Sequence, residues 1–210
     1  MFVNRLILLA GLLLSTSCTV QIPYTAIATT VGTVVQSTGL PSVMRNSRPY
    51  ILAEQSRIYA DDIISTDGYS LVKILMNSGS TVELGTRTRM RLMEVATNGS
   101  NTRTQLNLSM GSLEISANNN ANDFTINTNI ARIESISASF WLGYANGGKS
   151  LDVISLGGNE VQVSNRGGEV TLAAPLTGTS ITAGSAPQDI VAWSENKFRV
   201  TRNNHRVVSL

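Results

Sequence analysis

One cysteine and one histidine occur in 210 residues. A lone cysteine rules out a disulfide within the chain. One cysteine and one histidine cannot supply the nitrogen and sulfur ligands of a zinc centre. Charge is scarce too: 14% of residues are Asp, Glu, Lys or Arg, and the formal net charge is only +2. Nucleic-acid binding needs a concentrated basic face, which this balance does not provide. No glycine-rich phosphate loop is present. The only long apolar run, "LILLAGLLL" at 6–14, has nine residues, well short of the roughly twenty that span a bilayer as a helix.

What is present begins with that run. A short head with Arg5, the apolar run and the small-residue segment "STSC" ending at Cys18 have the build of an export signal. The stretch "LLLSTSC" resembles a bacterial lipobox, in which the cysteine becomes the lipidated first residue. Ser15 stands where the usual pattern has Leu, with Leu14 one place further back. The alternative is ordinary cleavage near Ser17, leaving a free periplasmic thiol; exposed thiols are liabilities in oxidising compartments, which favours lipidation. Acyl chains anchor firmly, at about 0.8 kcal/mol per buried methylene. By resemblance to lipoprotein sorting, Thr19 after the cysteine points to the outer membrane. The expected division is residues 1–17 as signal, 18–30 as linker from the anchor, 31–200 as one domain and 201–210 as a polar tail.

From Val31 onward apolar and polar residues alternate in short runs, such as "LVKIL" (71–75), "TVEL" (81–84), "SLEIS" (112–116) and "EVQVS" (160–164). A period of two marks half-buried strands. Turn signals separate the runs: "NSGS" (77–80), "NNNAND" (118–123), "GGN" (157–159) and "RGG" (166–168). Three stretches share a plan of strand, glycine turn and strand, namely 71–84, 106–116 and 151–164, and are expected to be hairpins or solenoid rungs. The best helical spacing after the signal, 49–63, is of marginal length, so no helix is expected there. Residues 174–188, with two prolines, are expected to be irregular apart from one short strand.

The segment "DDIISTDGYSLVKILMNSGSTVELGTRTRMRL" (61–92) resembles the FecR domain of bacterial envelope proteins. Asp62, Ile64, Thr66, Ser70, Gly79, Ser80 and Leu84 match that family's pattern, while Asp61 and Ser78 replace its glycine and aspartate. The similarity continues through Gly32 and Val34, "LSMGSLEI" (108–115), "FTINTNIARI" (124–133), "SASFWL" (137–142), "VISLGGNEVQV" (153–163), "ITAGSA" (181–186) and "AWSENKF" (192–198). The resemblance implies an all-β, twisted, solenoid-like or β-roll body built from short antiparallel hairpins. The regulatory members of the family span the inner membrane and carry a cytoplasmic segment that controls a sigma factor. Neither is expected here, so that activity is not carried over.

Candidate chemistry is thin. His205 sits in "TRNNHRVVSL" and is expected to be solvated. Asp61 and Asp62 are adjacent, so in a strand they would face opposite sides and cannot form a facing carboxylate pair. Asp62 is expected to accept backbone N–H groups in a turn. Asp61, Asp62 and Asp67 lack the spacing of a calcium loop. No catalytic residue, metal ligand or cofactor is expected. Arg87, Arg89 and Arg91 would share one strand face, extended by Arg103, either as a solvated stripe that blocks edge pairing or as a contact for anionic groups. Trp141, Tyr144 and Trp193 are either core and rim residues or a stacking surface. Phe140 and Trp141 are neighbours, so one should face in and the other out.

The function expected from all this is a non-catalytic, periplasm-facing binding or scaffold module of an outer-membrane lipoprotein, or a soluble periplasmic one if Cys18 stays free. Its partners would be the membrane, through lipid, and an unnamed envelope protein. A sensor or regulatory subunit of an envelope signalling or iron-transport system is the first alternative. A glycan- or peptidoglycan-binding module is the second, and it requires an exposed aromatic row.

Overall fold

The structure, a computed structural model, describes residues 29–98, 101–118 and 122–206. The proposed signal, Cys18 and most of the linker lie outside these residues. In chain order the strands are β1 (Thr30–Thr38), β2 (Ser42–Arg45), β3 (Arg48–Ile51), β4 (Arg57–Tyr59), β5 (Ile63–Ser65), β6 (Leu71–Met76), β7 (Thr81–Leu84), β8 (Arg89–Asn98), β9 (Asn101–Met110), β10 (Ser112–Ser116), β11 (Asn122–Asn127), β12 (Arg132–Ile136), β13 (Ala138–Ala145), β14 (Ser150–Gly158), β15 (Val161–Asn165), β16 (Gly168–Leu172), β17 (Thr177–Thr182) and β18 (Val191–Ala192). A helix, α1 (Glu195–Asn203), follows. The fold is all-β, as the alternation predicts.

The strands form two nine-stranded sheets. The first runs β18-β17-β14-β13-β10-β7-β6-β1-β4 and the second β16-β15-β12-β11-β9-β8-β5-β2-β3. In both, spatial order follows chain order almost throughout, so the chain winds forward as it passes back and forth between sheets. Pairs are antiparallel except β9 with β11, which run parallel. One core fills the space between the sheets. Val72, Ile74, Val82, Leu84, Leu113, Ile115, Phe140 and Leu142 enter it from the first sheet, and Ile64, Met90, Leu92, Leu106, Phe124, Ile126 and Val163 from the second. Each alternates with an outward neighbour, which is the period-two pattern seen in the sequence.

Of the three strand–glycine–strand stretches, only 71–84 is a hairpin: β6 pairs with β7, with Ile74 opposite Val82 and Gly79 in the turn at φ +86°. The other two are corners. The chain leaves β9 in the second sheet and enters β10 in the first across Gly111, and it leaves β14 for β15 in the opposite direction across Gly157 and Gly158. At Gly111 a Cβ would come within 2.4 Å of the Thr88 Cα, besides standing at φ +83°. Alternation broken by glycine is the same signal for a hairpin and for a corner; only the pairing distinguishes them.

The polar family-pattern residues lie in the connections between β4 and β7. Asp62 is fully buried. Its Oδ1 and Oδ2 accept from the Arg45 Nε and Nη2 at 2.7 and 2.6 Å, and Oδ2 also accepts the Tyr59 N–H at 2.9 Å. The Arg45 guanidinium lies over the Tyr59 ring at 4.2 Å. The Thr66 hydroxyl donates to the Gly85 carbonyl at 2.6 Å and accepts from the Thr88 N–H at 2.9 Å. The Ser70 hydroxyl accepts from the Leu40 N–H at 2.9 Å. The Ser80 hydroxyl accepts from the Asn118 N–H and the Asn122 Nδ2 at 3.2 and 2.9 Å. Ile64 and Leu84 are core residues. Each short polar side chain accepts from or donates to backbone groups where strands end: Asp62, Thr66 and Ser70 where the chain changes sheet, and Ser80 in the β6–β7 hairpin.

Residues 49–63 hold β3, β4 and turns, with Gln55 at φ +68°, and no helix, as expected. A helix that the sequence did not suggest lies at 195–203, across the expected boundary between domain and tail, and the described part of that tail packs on the body. Ser194 caps it by accepting the Lys197 N–H at 3.1 Å, with Glu195 in the first turn and Arg202 in the last, the charge placement that helix ends favour. Residues 174–188 contain the single strand β17, as the sequence indicates.

Asp62→Ala removes the counter-charge from a buried pair and should cost about 3 kcal/mol. Asp61→Asn breaks only the exposed Arg91–Asp61 pair and should cost less than about 0.5 kcal/mol. Urea denaturation of the two variants checks the contrast.

Candidate functional site

The outward faces of the two sheets differ, and each carries a feature. On the second sheet, cross-strand partners Gln105, Thr125, Glu134, Gln162 and Thr171 form one row over β9, β11, β12, β15 and β16. Beside it run Arg103, Asp123 and Ile136. These side chains line a groove of about 1030 Å³. Arg132 bonds Glu134 at 2.8 Å, and its guanidinium holds the Glu134 carboxyl below its ordinary value against a smaller opposing effect of burial. Gln162 donates to Glu169 at 3.1 Å. The groove is thus a polar floor of mutually bonded groups, with Ile136 exposed beside them.

The predicted arginine stripe is shorter than expected. Arg87 lies in a turn at φ +51°, with its N–H on the Asp67 carbonyl at 2.8 Å. Thr88 faces inward, as the alternation predicts, and its hydroxyl accepts the Ser112 N–H at 2.9 Å, but β8 begins only at Arg89. Arg89 and Arg91 are exposed on β8. Arg91 pairs with Asp61 at 2.9 Å. Arg103 stands opposite Ala96, further along the strand pair, at the groove rather than beside Arg91.

Trp141 and Trp193, offered as an interaction surface, are covered: 2% and 6% of their surface is exposed. Phe140 faces the core and Trp141 the other side, as adjacency requires, but Trp141 meets protein there instead of solvent. With Ile154, Trp193, Leu156 and Phe198 it forms a second, small apolar cluster. The covering element is α1. Phe198 meets the Trp141 ring edge-on at 6.3 Å. Two glycines make the close seating: a Cβ on Gly143 would fall 2.4 Å from the Trp141 ring, and one on Gly178 would fall 2.8 Å from the Trp193 Nε1. Lys197 Nζ lies over the Trp193 ring at 3.8 Å.

His205 was expected in solvent and is not. Its ring packs on Trp141 at 5.4 Å, and its carbonyl accepts the Thr86 N–H at 2.7 Å. Burial holds its pKa below the ordinary value of 6.5, opposed by the carboxylate of Asp152. Beside it, Arg202 donates to Glu114 at 2.7 Å and Arg206 pairs with Glu83. This face went unrecognised in the sequence because α1 carries only Phe198 and Val200 as apolar residues, too few for an amphipathic stripe. The signal that could have exposed it is the Ser194 cap followed by Phe198, Arg202 and Arg206 at intervals of four. Among the described residues no three of His, Cys, Asp and Glu stand close enough to hold a metal ion.

Two stacked sheets wound forward by a single chain, with buried Asp, Thr and Ser in the connections, define an all-β module. The model of the family described as FecR protein matches residues 62–171, more than half of the 210, and the chain belongs to that family. No curated protein matches it. A solved structure of a candidate anti-sigma factor from Parabacteroides distasonis ATCC 8503 is similar over 66% of this chain and 62% of that one, at 18% identity and a TM-score of 0.51. Another structure of that description covers 65% and 61%, at 17% identity and a TM-score of 0.49. At such identities the likeness concerns the fold alone, and the chain spans under two thirds of the length of either protein.

His205 predicts a pH response of the covered face. Its folded-state pKa is lowered, so between that value and 6.5 the unfolded chain holds more protons than the folded one, and packing weakens as pH falls. Tryptophan fluorescence should shift on going from about pH 7.5 to about pH 5.5. His205→Gln should flatten that shift.

Proposed function

We propose that this protein is a non-catalytic envelope module that acts by protein contact, with the groove on the second sheet as its binding surface. The observation that carries this reading is the groove: about 1030 Å³, lined by a five-strand polar row. Its size and mixed polarity suit a peptide segment or loop of a partner, and its residues include no nucleophile–base pair of the kind acyl transfer requires. FecR proteins are associated with the bacterial envelope. Among the described residues no helix is long and apolar enough to cross a membrane. We further propose that Cys18 is lipidated and holds the domain on the periplasmic side of the outer membrane, with residues 18–30 as tether.

A regulatory role in envelope signalling is the second reading. It is supported by membership of the FecR family and by the shared fold with the candidate anti-sigma factor. The identity of the partner separates the two: a receptor or signalling protein would favour regulation. The glycan reading loses its support, because Trp141 and Trp193 are covered by α1 rather than arrayed on the surface.

A photo-crosslinking residue at Gln105, Thr125 or Gln162 should capture one discrete envelope protein in living cells. The same residue at exposed Tyr69 should capture none. Failure at all three groove positions would remove the groove from consideration. For the anchor, Cys18→Ser should move the protein from the membrane to the soluble fraction.

A further inference from the structure

The covered face of the first sheet has a property that plain packing does not require. One cross-strand row runs along it through Lys73, Glu83, Glu114, Trp141 and Ile154. Glu83 and Glu114 are direct partners across β7 and β10. Like charges in that position repel. The body supplies only Lys73, 3.8 Å from Glu83. The remaining counter-charge comes from the C-terminal segment, through Arg202 on Glu114 and Arg206 on Glu83.

That segment is lightly held. No residue of α1 is buried, and Val200 is 53% exposed. Apart from Lys197 over the Trp193 ring, its side-chain contacts form one stripe: Phe198, Arg202, His205 and Arg206. The floor under the stripe is cut to fit a guest. A Cβ on Gly85 would stand 2.6 Å from the His205 carbonyl oxygen. The face also holds an unused donor. The Trp193 Nε1–H is buried with no acceptor among the described residues, and a buried donor left unmade costs about 1–3 kcal/mol. The present occupant leaves that cost standing.

We propose that the acidic, tryptophan-floored face of the first sheet is a docking site for a basic amphipathic helix of a partner protein, and that residues 194–206 are its resident placeholder. The fitting helix carries an aromatic residue followed by cations at intervals of four, which reproduces the Phe198, Arg202 and Arg206 stripe. This site is separate from the groove on the second sheet, so either can fail alone.

The test uses the full chain and a fluorescent peptide of sequence 194–206 as probe. The Arg202→Ala/Arg206→Ala variant frees both carboxylates, and it should bind the peptide at least about tenfold more tightly than the unaltered chain. Adding Glu83→Gln and Glu114→Gln should remove that gain. A gain below tenfold, or one that survives the glutamine changes, overturns the proposal. Dimerisation of the arginine variant in sedimentation would assign the face to a second copy and overturn it too. Hydrogen exchange on the unaltered chain gives a reading that needs no variant. Amides of 195–206 should exchange at least about a hundredfold faster than those of β13 and β14, and faster still in about 0.5 M salt. Equal protection of the two regions would mean a permanent cover and would end the proposal.

Discussion

Passing a chain repeatedly between two packed sheets buries bends, and buried bends leave N–H and C=O groups that no strand can pair. The whole body depends on meeting that demand. Asp62, Thr66 and Ser70 meet it where the chain crosses between sheets, and Ser80 meets it in the β6–β7 hairpin, each through a side chain short enough to bond backbone without filling core volume. Asp62 goes furthest. Its carboxyl is fully buried, and Arg45, 27% exposed, reaches in with two bonds while stacking on Tyr59. Removing Arg45 leaves the Asp62 carboxyl without its cation where water does not reach it.

This arrangement frees the sheets' outer faces from structural duty, and the two faces then diverge. The second sheet keeps a polar row, two members of which bond neighbours beside it: Glu134 with Arg132 and Gln162 with Glu169. The first sheet instead carries an apolar and acidic row that the C-terminal segment covers. The difference lies in chemistry rather than in fold, since both faces are built from the same alternation.

Much of the architecture was legible in the sequence because alternation is a local property. Runs such as "LVKIL" and "EVQVS" report which residues face inward whatever sheet they join, and the core bears this out at Val72, Ile74, Val161 and Val163. Which runs turn back and which cross over was not legible, because glycine serves both purposes: Gly79 closes a hairpin and Gly111 a corner. The solvent-side residues were harder still. The position of Trp141 on an outward face follows from its neighbour Phe140, but its burial depends on Phe198 and His205, more than fifty positions later. A helix with two apolar residues announces itself only through its cap. The arginine run misled for a related reason: Arg87 is exposed as its spacing indicates, but it stands in a turn bonded to the Asp67 carbonyl, a contact that spacing cannot reveal. The groove has no motif at all. It arises from curvature and register across five strands.

Strand order that follows chain order has a kinetic side. Each new strand can add to an edge already laid down, so the body can grow from its N-terminal end as the polypeptide emerges, without waiting for distant segments. The exceptions are the contacts made by the C-terminal segment: Arg202 reaches back 88 positions to Glu114, the His205 carbonyl about 120 to Thr86 and Arg206 123 to Glu83. Among the described side-chain and loop hydrogen bonds these close the longest spans and carry the heaviest loop-closure entropy. They are therefore the natural final event of assembly, a seal set only after every rung beneath it is in place.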